Sequence, residues 1–136
     1  MKSANNINDI SKKNSILFLG DVVPFKPFKF KNDYKTVLNL ECPITSVGNP
    51  VVNKINLNVG KNYLTDIFKD KLLCLCISNN HILDYGKEGL DSTLTELVKI
   101  KTQSFGLISD SGDKYTPLLY EFNAIHIAFF AVVCKS

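Results

Sequence analysis

Five side chains have the chemistry and the placement of a site: Asp21, Glu41, Asn80, His81 and Asp84. The first four follow the ends of apolar runs. Ile16-Leu17-Phe18-Leu19 ends in Gly20-Asp21, Val37-Leu38 runs into Asn39-Leu40-Glu41-Cys42-Pro43, and Leu72 to Ile77 stops at Ser78-Asn79-Asn80-His81. Open α/β sheets bind ligands outside the carboxyl ends of their strands. If the three runs lie parallel, Asp21, Asn39, Glu41, Asn80 and His81 converge on one edge. Carboxylate and amide oxygens are hard donors that suit Mn²⁺, Mg²⁺ or a similar cation. Imidazole transfers protons near neutral pH. Asp84, three residues after His81, can hold that ring in one tautomer. Gly86 lets the chain turn into a helix whose first N–H groups would favour an anion at the site.

Each of these residues also has a plainer reading. Asp next to Gly is a common turn pair, and Asp21 enters the site only because Glu41 and Asn80 accompany it. Glu41 at a strand end is as readily solvated as ligating. Asn39 shares its strand face with Glu41 and is expected to bond the loop. Asn79 is expected to form the turn, since Asn tolerates positive φ. His126, within Ala124-Ile125-His126-Ile127-Ala128, reads as a structural histidine. Glu88 and Asp91 read as macrodipole partners, Phe25, Phe28 and Phe30 as loop packing, and Lys54 and Lys61 as a solvated face.

The segments GDVVP from Gly20, NLECPIT from Asn39 and SNNHILDYGKEGLDSTLTEL from Ser78 resemble the CapA family. That family is linked to poly-γ-glutamate capsule biosynthesis and is similar to the calcineurin-like metallophosphoesterases. The resemblance runs from about Ile16 to the C-terminus and is most specific from Asn79 to Gly86. It implies an α/β fold over residues 15–136, a partial metallophosphoesterase-like sandwich with a mixed sheet and flanking helices. It also implies roles: Asp21 as the first-strand metal ligand, Glu41 as a metal-bridging carboxylate, Asn80 as a ligand, His81 near the scissile group, and Asp84 as the acid after that pair. The implied cofactor is a divalent metal of the Mn²⁺ or Mg²⁺ type. The implied partners are an anionic polymer or phosphoester substrate and other capsule-biosynthesis proteins.

Two departures from the family pattern matter. Val23 stands where the wider superfamily has a histidine, and the chain stops at Ser136, before the family's second half with its further histidine ligands. The expectation is an N-terminal portion with an incomplete metal centre and poor phosphoester turnover. Two other functions draw on the same residues: a generic metal-dependent phosphoesterase, and a non-catalytic domain that binds polymer or a partner.

Bulk properties narrow the field. The chain has 136 residues, one domain's length, and a net charge of +3. Its 16 basic residues are all lysine, so the bidentate fork that arginine offers phosphate is missing. The lysines are scattered, which argues against nucleic-acid binding. Four cysteines, Cys42, Cys74, Cys76 and Cys134, lack zinc-ribbon spacing and read as buried reduced thiols. No secretory signal precedes Ser15 and no apolar run reaches membrane-spanning length, so a cytoplasmic location is expected, although CapA relatives are often membrane-associated.

The positioning elements follow from periodicity. Residues 1–14 read as a disordered tail. Strands are predicted at Ser15–Leu19, Thr36–Leu40, Lys71–Ile77 and Gln103–Leu107, with a less regular alternation at Val51–Val59 also read as a strand. Asn62 would cap a short helix carrying Leu64, Ile67 and Phe68 on one face. Glu88–Lys101 reads as the main helix, with Leu90, Leu94, Leu97 and Val98 as its apolar stripe. Asp110–Lys114 reads as a turn, and Pro117–Phe122 with Ile125–Val133 as a hairpin closed by Asn123-Ala124.

Overall fold

The computed structural model describes residues 14–26, 30, 33–107 and 117–132. Its architecture is α/β. Four strands, β1 (Ile16–Val22), β2 (Lys35–Leu40), β3 (Leu72–Cys76) and β4 (Gln103–Phe105), form one sheet in the order β1-β2-β3-β4. All three pairings are parallel. Among the described residues, antiparallel pairing is confined to a second sheet, the hairpin of β5 (Leu118–Phe122) and β6 (Ile125–Phe129). The mixture expected in one sheet is thus divided between two.

Two helices and a hairpin cover opposite faces of the parallel sheet. Leu64, Ile67 and Phe68 of α1 (Tyr63–Phe68) and Leu97 of α2 (Gly86–Lys99) join Leu38, Leu40, Leu75 and Ile77 in one core. On the other face Phe129 packs with Val37, Leu73 and Cys74, and its ring lies 5.5 Å from that of Phe105. Covering both faces explains why β2 and β3 read as nearly continuous apolar runs. Each fully buried aliphatic side chain among them contributes about 1.5–3 kcal/mol.

Several expectations need correction. Val51–Val59 is no strand. Its one ladder contact is an isolated bridge between Val59 and Ile44, and the rest is turn and loop. Alternation misled because Val51, Val52 and Ile55 are exposed rather than packed on a sheet. Leu97 of the expected stripe is buried and Leu90 and Leu94 pack partly buried against the same core, beside the buried Gly89, Thr93 and Glu96, whereas Val98 is 77% exposed. The helix is rotated because Thr93 Oγ1 accepts the Ile44 N–H at 2.9 Å and donates to the Gly89 carbonyl at 2.8 Å. Thr93 therefore belongs inward, and Val98 turns to solvent. Glu96 bonds Lys99 at 2.7 Å, and that contact holds its carboxyl below the usual range despite burial. Asn62 has a φ of 74°, and its carbonyl accepts the Asp66 N–H. The tail at 1–13, the turn at Asp110–Lys114, Phe28 and Cys134 lie outside the described residues.

Candidate functional site

The carboxyl ends of β1, β2 and β3 lie side by side, because Asp21 pairs with Asn39 and Asn39 with Cys76. Asp21 does not follow its strand but sits within it. The β1–β2 register shifts between Phe18 and Asp21, and β1 continues to Val22. A bulge of this kind bends a strand and re-aims its side chains. Beyond β2, the Glu41 N–H donates to the Val22 carbonyl at 3.2 Å, which keeps Glu41 beside Asp21.

Asn39 is the centre of this edge. Its Nδ2 donates to Asp21 Oδ1 at 2.7 Å and also to Glu41 Oε2. Its Oδ1 accepts from Asn79 Nδ2 at 3.2 Å, and the same Asn79 nitrogen donates to the Leu40 carbonyl at 2.8 Å. Asn79 Oδ1 in turn accepts the His81 N–H at 3.0 Å. One chain of hydrogen bonds therefore joins Asp21, Glu41, Asn39, Asn79 and the backbone of His81.

Asn79 does form the turn, but with its side chain. The bond to the amide two residues on is an Asx turn, and neither Asn79 nor Asn80 adopts positive φ. Positive φ is used instead at Gly86, at 63°, where the chain enters α2. Asn80 projects to solvent, and its backbone carbonyl accepts from Lys54 Nζ.

His81 and Asp84 pair directly, with Nδ1 2.7 Å from Asp84 Oδ2. Asp84 is fully buried, yet its carboxylate has partners on both oxygens. Oδ2 also accepts the Leu57 N–H at 2.6 Å, and the Lys54 ammonium lies 2.5 Å from Oδ1 as an ion pair. Burial pushes the Asp84 carboxyl up, but the contacts with Lys54, Leu57 and His81 together outweigh it and hold the carboxyl below its usual range. Asp84 is therefore ionised at neutral pH and can only accept. The hydrogen between it and His81 then sits on Nδ1, which leaves Nε2 as the working nitrogen of the ring.

Beneath the site, burial pushes the Cys42 thiol up to about 12, with Glu41 and Asp84 adding to the effect. Cys42 is thus a neutral hydrophobe rather than a ligand or nucleophile. His126 is exposed on the hairpin whose Phe129 packs on the other face of the sheet, in register with Glu121. Phe30 packs on Phe68 with ring centroids 5.5 Å apart, whereas Phe25 is exposed.

Asn39, Asn79 and Lys54 are the members that sequence reasoning undervalued. Asn39 carried a usable signal, since it stands two residues before Glu41 on a strand. Lys54 carried none, because its partners lie 26 and 30 residues away.

Among the described residues, no helix is long and apolar enough to cross a membrane. No curated protein matches the chain. The model of the bacterial capsule synthesis protein family PGA_cap matches residues 15–136, which takes in both the three-strand edge and the His81 turn, and the chain belongs to that family.

Proposed function

We propose that this member of the capsule synthesis family carries a metallophosphoesterase-type site. In this reading the strand-end cluster holds a divalent cation of the Mn²⁺ or Mg²⁺ type, and the site acts on a phosphoester during the making of an anionic capsular polymer. The observation that carries the reading is the sharing of one Asn39 amide nitrogen by Asp21 and Glu41. Two carboxylates brought to one point repel each other unless something positive lies between them, and an amide N–H is a weak substitute for a cation.

The residues fit one hard cation better than two. Asp21 and Glu41 would hold it, the exposed Asn80 amide is a further oxygen donor, and Mg²⁺ in particular keeps several waters. Among the described residues, no three of His, Cys, Asp and Glu gather as a metal-holding group, which is few donors for a two-metal clamp. When bound, the cation would polarise a phosphoryl oxygen as a Lewis acid.

The chain's own groups supply the proton chemistry. Asp84 stays ionised and fixes the His81 ring through Nδ1. In the imidazolium form, Nε2–H can donate to a leaving oxygen, and the buried carboxylate behind the ring stabilises that positive charge. Electrostatic stabilisation is usually the largest catalytic term, so a site with few charged donors should turn over slowly.

The test is an aryl phosphate diester assay with Mn²⁺ on the parent chain and on His81→Ala. Slow, Mn²⁺-dependent turnover that His81→Ala abolishes supports the reading. Absence of any turnover, with a capsular polymer bound all the same, would favour a non-catalytic polymer-binding domain.

A further inference from the structure

The loop from Val51 to Asn58 is fastened to the His81 turn at several points. The Val51 N–H donates to the Asp84 carbonyl at 2.9 Å, and the Leu57 N–H donates to Asp84 Oδ2. Asn56 Nδ2 ties the loop to itself through the carbonyls of Val51 and Lys54. Between these anchors, Lys54 Nζ meets both the Asn80 carbonyl and Asp84 Oδ1. These two acceptors lie on either side of His81 in the chain.

We propose that Lys54 is a positioning residue for His81, acting through Asp84 and the Asn80 carbonyl to fix the ring's orientation and its tautomer. This rests on the proposed function only for what the imidazole acts on; the positioning itself does not. Asp84 is a fully buried carboxylate, and its Oδ1 has the Lys54 ammonium as its partner. Removing that ammonium leaves a buried charge half-satisfied. The carboxylate can then regain partners only by rotating or by taking up a proton. Either change breaks the geometry in which Oδ2 accepts from both Leu57 and His81 Nδ1. The imidazole would then lose its reason to keep the hydrogen on Nδ1, and Nε2 would no longer be reserved for substrate. Because Lys54 also holds the carbonyl just before His81, its loss loosens the backbone that aims the ring.

The chain has two histidines, so a His126→Gln background leaves His81 alone in ¹⁵N-correlated imidazole spectra. These are recorded at alkaline pH, where the ring is neutral, for the parent, Lys54→Met, Lys54→Gln and Lys54→Arg. The parent should show the Nδ1–H form as dominant. Lys54→Met should reduce it to a minority, Lys54→Gln should reduce it in part, and Lys54→Arg should restore it. A lysine of merely structural value would lower the unfolding midpoint and leave the tautomer unchanged. If Lys54→Met does not fold, Lys54→Gln decides, since it can still donate to the Asn80 carbonyl without the charge. A folded Lys54→Met or Lys54→Gln chain with the parent's tautomer overturns the proposal. The spectra need no substrate. A tautomer shift in a chain that shows no diester turnover would keep the role of Lys54 and defeat the phosphoester reading. Where the parent does turn over, kcat should fall about 10–100-fold with KM unchanged.

Discussion

Asn39 Nδ2 donates to Asp21 Oδ1 at 2.7 Å, across the β1–β2 pair. The same nitrogen serves Glu41, so one neutral amide holds two negative charges together. Replacing it with leucine removes the donor and leaves the charges facing each other. Asn39→Leu is expected to lower stability by about 1–2 kcal/mol, with less loss at high salt, where the partly exposed pair is screened. Urea unfolding at low and high ionic strength measures both.

Thr93 supplies a cleaner contrast. Its hydroxyl is the partner of the buried Ile44 N–H and is itself fully buried. Thr93→Val keeps the shape and removes the acceptor, so a buried donor is orphaned. The expected cost is about 1–3 kcal/mol. Thr93→Ser, which keeps the oxygen, should cost less. The difference in urea midpoints between the two variants reads the hydrogen bond apart from the packing.

Asp84 sets an acid limit on stability. Its folded pKa is depressed, so its contribution is fully present above the unfolded carboxyl value of about 4 and is lost as pH falls from there through the folded value. Stability of the parent should therefore drop with falling pH in that window more steeply than that of Asp84→Asn, which has no proton to take up. Urea midpoints between neutral and acidic pH test this. Equal slopes in the two chains would mean that Asp84 is not ionised in the folded state.

Most of the fold was legible because it rests on local pattern. The apolar runs at Ile16, Val37 and Leu72 became the three adjacent parallel strands, and Asn123-Ala124, both at positive φ, closes the expected hairpin. Of the candidate site, the sequence placed Asp21 and Glu41 at neighbouring strand ends, where both bond the Asn39 amide nitrogen, and it paired His81 with Asp84, whereas the Asn80 side chain, expected on the same edge, is exposed. What escaped was decided by partners distant in sequence. Val98 falls at the right helical spacing for a buried stripe, but Thr93 has a buried amide to satisfy and takes the inward position. Lys54 looks solvated until its loop folds back onto Asp84. Asn79 and Asn80 are the same residue type, and only the Leu40 carbonyl and the Asn39 amide decide which of them turns inward.

Gly106 ties β4 to the site. Its φ is 99°, and a Cβ there would lie 2.5 Å from Ser78 Cβ, on the residue just before Asn79. Gly106→Ala should cost more than about 2 kcal/mol and should disturb the Asn79 and His81 amide signals. At Gly86, φ is 63° but a Cβ would meet open space. Gly86→Ala should therefore cost only about 1 kcal/mol, the backbone strain alone. Comparing the two unfolding midpoints and amide spectra separates steric overlap from strain.

The most direct measurement is a calorimetric Mn²⁺ titration of the parent chain beside Asp21→Asn, Glu41→Gln and His126→Gln. If the strand-end carboxylates form a cation site, the parent binds one Mn²⁺ per chain, weakly, Asp21→Asn and Glu41→Gln each abolish the binding, and His126→Gln leaves it unchanged. Binding that survives in Asp21→Asn or in Glu41→Gln, or no binding by a folded parent chain, would contradict a metal centre at the ends of β1 and β2.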